Sequence, residues 1–189
     1  YINALRNAML ECSNIPISAL DSENSYSNII NYNIKDYFNN IISSIYNVKS
    51  LYLYNLPPKI NNELIGIISK NLINKEHKKT HKKLTVYYDI FANLVQLSLR
   101  PSNDYNAKNQ LENIIKSPDI LFLDDIGLET GFNMPTKPNL RLLQLILKER
   151  QNRVKSTIII SKINISELSK LYNDNVFNII STFDIIKTK

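Results

Sequence analysis

Asp119-Ile-Leu-Phe-Leu-Asp-Asp-Ile-Gly127 decides the fold. Four apolar residues run without a polar break from Ile120 to Leu123, and two carboxylates and a glycine follow. A strand with one wet face alternates apolar and polar residues. An unbroken run is what a strand covered on both faces requires, and such strands belong to parallel sheets. The spacing predicts a strand over 119–125 that lifts Asp124 and Asp125 to the carboxyl edge of the sheet, where ligands of open α/β sheets collect.

Working outward, the same logic places Leu51-Tyr-Leu-Tyr54, Leu84 to Tyr88, Thr157-Ile-Ile-Ile-Ser161 and Asp184 to Thr188 as further strands. Between them lie stretches of helical periodicity: from about Asn61 with Leu64, Ile68 and Leu72 on one face; Asp89 to Leu99, stopped by Pro101; Leu140, Leu143 and Leu147 running to Arg153; Ile165 to Tyr172; and Asn175 to Thr182. Residues 101–109 read as a polar loop, with a short helix from Leu111 to Ile115. Strands alternating with helices predict a three-layer α/β/α domain around a five-stranded parallel sheet. It occupies 27–189, behind a lead-in segment at 1–26 that contains the turn Asn14-Ile-Pro16.

The composition narrows the setting. Hydrophobic residues make up 43% of the 189, enough for a buried core, and no apolar run approaches the ~20 residues of a membrane-spanning helix. The single cysteine, Cys12, excludes an internal disulfide and points to a reducing, cytoplasm-like compartment. The chain opens at Tyr1 instead of Met, so further sequence upstream is expected. A net charge of +6 attracts polyanions, although heavy use of Asn, Ile, Lys and Tyr also reflects an AT-rich coding sequence. The densest charge is the run of residues 75–83, KEHKKTHKK. There Lys75, Lys78, Lys79, Lys82 and Lys83 are candidates for phosphate contacts, with Arg100 and Lys108 as additions and Tyr87, Tyr88 and Tyr105 as candidate stacking rings. His77 and His81 share a helical face, but five surrounding lysines would repel a metal ion, so no metal site is expected.

Leu121-Phe-Leu-Asp-Asp-Ile-Gly127 has the form of a Walker B strand, in which the first acid holds Mg²⁺ and the second orients the attacking water. Together with Leu51–Tyr54, the helix ending Leu147-Lys-Glu-Arg-Gln-Asn-Arg153, the strand Thr157–Ser161 and the tail Asn178-Ile-Ile-Ser-Thr-Phe183, it resembles the DnaC/DnaI-type replicative helicase loaders and their IstB relatives, over about residues 10–189. That resemblance implies an AAA+ core of P-loop NTPase type with strand order 5-1-4-3-2. It also implies an ATPase whose partners are a replicative DNA helicase and single-stranded DNA, with self-association open.

Residue by residue, the resemblance breaks where nucleotide would sit. The stretch matching G-x-x-x-x-G-K-[ST] is Asn55-Leu-Pro-Pro-Lys-Ile-Asn-Asn62. Asn55 and Ile60 stand for the two glycines, Asn61 for the lysine and Asn62 for the Mg²⁺-binding hydroxyl. Two prolines remove two amide donors from the phosphate cradle. Lys59 stands two residues ahead of the position that reaches the phosphates. Lys162 replaces the sensor asparagine that the family carries after the fourth strand, and Thr182 replaces the arginine finger. Arg150 matches a family arginine, with packing, interface and catalytic roles all open. The expectation is a pseudo-ATPase without ATP or Mg²⁺, in which Asp124 and Asp125 are remnants. The alternatives are a weakly active ATPase and an interaction scaffold outside replication.

Overall fold

A computed structural model describes residues 14–15, 50–55, 61–66, 69, 84–127 and 135–187. Along these residues the elements run β1 (Leu51–Tyr54), β2 (Val86–Ile90), α1 (Phe91–Ser98), α2 (Tyr105–Lys116), β3 (Ile120–Ile126), α3 (Lys137–Asn152), β4 (Ser156–Ser161), α4 (Ile165–Leu171), α5 (Asp174–Ile180) and β5 (Asp184–Lys187). Residues 61–66, after β1, are also helical. The five strands form one sheet in the order β2-β3-β4-β1-β5, and each neighbouring pair is parallel. This is the expected topology.

The unbroken apolar run of β3 is buried on both faces. Leu121, Phe122 and Leu123 are fully enclosed, and so are Leu51, Leu53, Ile158 and Ile159 of the strands beyond. On one face Tyr52, Tyr54, Leu121, Leu123 and Ile159 meet Phe91 and Leu94 of α1, Ile114 and Ile115 of α2, Leu143, Ile146 and Leu147 of α3, and Leu168, Val176 and Ile180 of α4 and α5. Apolar burial of this extent is the main force holding the layers together, at about 25 cal/mol per Å² removed from water.

Two elements differ from expectation. Residues 101–109 are not a loop throughout: α2 begins at Tyr105 and runs for 12 residues. Asp104 caps it by accepting from the Ala107 amide at 3.0 Å, and Ala107, Leu111, Ile114 and Ile115 keep one face apolar at i, i+4, i+7 and i+8. β2 also begins two residues late. The carboxylate of Asp119 accepts from the Thr85 amide and hydroxyl, both at 2.9 Å, which holds residue 85 at the strand entrance. The ladder then opens at Val86 opposite Ile120.

Arg150 ties the amino ends of the strands together. It is the largest fully buried side chain among the described residues. From α3, its Nε donates to Thr157 Oγ1 (3.0 Å), Nη1 to the Ile115 and Pro118 carbonyls (3.0 Å each), and Nη2 to the Asp119 carbonyl (3.2 Å) and the Ser156 carbonyl. All five guanidinium donors therefore have acceptors. Burial pushes its pKa down to about 9, so it is charged at neutral pH. The role left open by the sequence is thus structural. Arg150→Met would take a donor from four carbonyls and a hydroxyl, of which the Asp119 carbonyl keeps the Ser156 amide, and should cost about 3–5 kcal/mol in urea unfolding. Arg150→Lys should restore only a minor part, since a compact ammonium cannot span a planar fork. A loss under about 1 kcal/mol for Arg150→Met would refute the clamp.

Candidate functional site at the carboxyl edge

The carboxyl ends of β1, β3 and β4 converge as the sequence predicts. Asn55, just past β1, donates its amide to the Ser161 carbonyl at 3.2 Å. Ser161 at the end of β4 donates its hydroxyl to the Ile126 carbonyl of β3 at 2.7 Å. β4 therefore lies between the first Walker A position and the acids, and Asn55 and Asp124 share the edge without adjoining strands. Asn55 has φ +61, the left-handed conformation glycine would supply; Asn is among the residues that best tolerate it. Asn61 and Asn62 open the helical stretch 61–66 and are half-buried. Asn61 Oδ1 is buried without a hydrogen-bond partner among the described residues. Lys59 lies outside the described residues, as does the whole lysine run Lys75, Lys78, Lys79, Lys82 and Lys83.

At the end of β3 the ladder is irregular between Leu123 and Ile126. Asp125 adopts φ +57, and Gly127 follows at φ +95, where an added Cβ would stand 2.7 Å from Ile163 Cδ1, so this turn requires glycine. The irregularity separates the two acids. Asp124 leans toward edge strand β2, where its Oδ2 accepts from the Tyr88 hydroxyl at 2.6 Å. Its Oδ1 accepts from the Asp125 amide at 2.8 Å. Asp125 Oδ1 lies 4.0 Å from Lys162 Nζ, beyond β4, in a pair open to solvent on both sides. Such a pair is weak in energy, but it fixes the sign of the charge facing Asp125.

Tyr88 was legible only as a candidate stacking ring. Its side chain is instead buried, and its hydroxyl is used on Asp124. Burial and the neighbouring carboxylate hold that hydroxyl protonated far above the ordinary tyrosine range. The sequence carried no signal for this contact, because it depends on the register that sets Ile90 opposite Asp124. Tyr87 is half-buried, whereas Tyr105 is 73% exposed with Lys108 Nζ 5.9 Å from its ring centre. Thr182, at the arginine-finger position, donates its hydroxyl to the Ile179 carbonyl of its own helix end at 2.7 Å.

Among solved structures, the chain is similar to DnaI (17% identical, TM-score 0.64, covering 82% of this chain and 84% of that one). It is similar to the DnaC helicase loader (15%, 0.62, 89% and 92%). It also matches a replication initiator DnaA bound to AMPPCP and single-stranded DNA (14%, 0.60), of which it spans 45% of the length. The fold is the DnaC/DnaI-like AAA+ fold. No family model and no curated protein sequence matches the chain.

Within this AAA+ fold a magnesium–nucleotide complex would need a glycine cradle, a lysine, a hydroxyl and a free Walker B carboxylate. The residues present do not fit it. Asn61 and Asn62 stand at the lysine and hydroxyl positions, and each oxygen of Asp124 accepts one hydrogen bond from the chain, with which a metal ion would have to compete. Among the described residues no group of three or more His, Cys, Asp or Glu side chains could hold a metal ion, and no helix is long and apolar enough to cross a membrane.

Burial raises the Asp124 pKa above the usual carboxylate value, against the opposing effects of the Tyr88 and Asp125 hydrogen bonds. A carboxyl group of this kind binds more protons folded than unfolded. Its contribution to stability is full below about pH 3.9, the unfolded value, and is lost as pH rises through the folded pKa. Asp124→Asn removes that loss. In urea melts, the variant should gain on the parent progressively as pH is raised from about 4 to 7. Asp89, shifted in the same direction by its own burial, is common to both proteins. An advantage that does not grow with pH would show that Asp124 titrates as an ordinary carboxylate.

Proposed function

We propose that this domain is a helicase-loader-like replication factor that works by binding, with a replicative DNA helicase on one side and single-stranded DNA on the other, and without hydrolysing ATP. The fold shared with DnaI and DnaC supports the loader reading. The observation that carries the non-hydrolytic part is the occupation of Asp124 by Tyr88 and the Asp125 amide. Catalysis of phosphoryl transfer rests on positive charge preorganised around the phosphates. Asn61, Asn62 and Thr182 replace the groups that would supply or anchor it, and Lys162 is turned toward Asp125.

Calorimetric titration should detect no ATP or ADP binding at millimolar nucleotide with Mg²⁺. A micromolar dissociation constant would overturn the pseudo-ATPase reading and put a weakly active ATPase in its place.

The DNA side is supported by the +6 charge and the lysine run, with Arg100 and the exposed Tyr105–Lys108 pair as further contacts. Fluorescence anisotropy with a labelled oligonucleotide should show binding that weakens steeply with salt and depends little on sequence. Replacing Lys78, Lys79, Lys82 and Lys83 together by Gln should flatten the log–log salt slope by about 3, at roughly 0.7 per phosphate contact. Stability should change by less than about 0.5 kcal/mol. A quadruple variant that binds like the parent would show the run to be a solvated surface. A parent that binds no DNA would favour a protein-interaction scaffold over a loader.

A further inference from the structure

Each Walker B acid has been given a partner from an adjoining strand, one on either side. Tyr88 comes from β2 and reaches Asp124 at 2.6 Å; Lys162 follows β4 and faces Asp125 at 4.0 Å. The first is short for a neutral donor and has the geometry of a charge-assisted bond. The second brings a tethered cation that also acts on Asp124. Two carboxylates side by side at the end of a buried strand repel one another and carry desolvation costs. In an active site a divalent cation relieves both. Here a hydroxyl and an ammonium lie where that relief is needed. Tyr88 is in turn seated from outside the sheet: Asn14, from the lead-in segment, donates its side-chain amide to the Tyr88 carbonyl at 3.0 Å, and Ile15 beside it is buried.

We propose that Tyr88 and Lys162 are an internal plug that takes the place of the divalent cation at the Walker B edge, the Tyr88 hydroxyl tying β2 to β3 at Asp124 and Lys162 supplying positive charge beside Asp125, independent of nucleotide. The proposal rests on the non-hydrolytic reading above and extends it: both acids have partners within the chain, so the site is closed by residues of the chain in addition to departing from the phosphate-cradle pattern. The plug accounts for a lysine at 162 beside two acids, and for Tyr88, an edge-strand residue, being turned to Asp124.

The test measures Mn²⁺ binding by the loss of the free-ion electron paramagnetic resonance signal, in the parent and in the Tyr88→Phe/Lys162→Ala double variant, each with and without ATP. The parent should leave the Mn²⁺ signal unchanged at millimolar ion. The double variant frees Asp124 Oδ2 and removes the competing charge, and should bind Mn²⁺ roughly tenfold or more tightly than the parent. Adding Asp124→Asn to the double variant should abolish the gain. Tyr88→Phe removes a single oxygen and Lys162 is exposed, so both changes are compatible with the fold; circular dichroism melts verify this. If the double variant does not fold, the single variant Lys162→Ala carries the test through a smaller gain. A folded variant that binds Mn²⁺ no better than the parent would overturn the plug while leaving the pseudo-ATPase reading intact. A parent that removes more Mn²⁺ signal in the presence of ATP than the same ATP does without protein, while removing none in its absence, would overturn the pseudo-ATPase reading itself. A parent that binds Mn²⁺ without ATP would overturn the plug alone.

Discussion

The guanidinium of Arg150 is the constraint on which the sheet's lower rim depends. A parallel sheet brings the amino ends of its strands together with the ends of the helices that precede them, and those ends expose carbonyls with no partners of their own. Arg150 reaches from the last turns of α3 to the last turn of α2, to the turn before β3 and to the first residues of β4. One planar group with five donors thereby sets the spacing of three elements. Its charge, near the carboxyl end of α2, also lies where the helix dipole favours a cation. With that rim held, the start of β3 is fixed against the start of β4, while the Asp119 carboxylate holds Thr85 at the entrance of β2.

At the opposite rim the backbone turns sharply at two places. Asn55 has a positive φ just past β1, and Asp125 and Gly127 have positive φ at the end of β3. Asn, Asp and Gly are the residues that tolerate this conformation best. Phosphate binding is conferred by particular side chains and amides, and those are the positions occupied by Asn61, Asn62 and two prolines. The two carboxylates at this rim need partners, because half-buried charges left alone are costly. Tyr88 and Lys162 meet that need from either side of β3.

What the sequence by itself determined was the layered fold and the identity of the rim. The apolar run of Ile120 to Leu123 required a strand covered on both faces, and alternation with helices required parallel pairing, because burial depends on residue type and period alone. The departure of the stretch from Asn55 to Asn62 from the G-x-x-x-x-G-K-[ST] pattern was also legible, since that pattern needs named residues at fixed spacing. Helix α2 could have been read too, from Asp104 as cap and the apolar spacing from Ala107 to Ile115. Only tertiary structure decided the rest. Whether Arg150 serves packing, an interface or catalysis depends on which carbonyls surround it, and these come from residues 115, 118, 119 and 156. Whether Tyr88 is a stacking ring or the donor to Asp124 depends on strand register, and a shift of one residue would turn its side chain to the other face of the sheet. Contacts between residues far apart in the chain are set by packing geometry, and no local pattern around either residue encodes them.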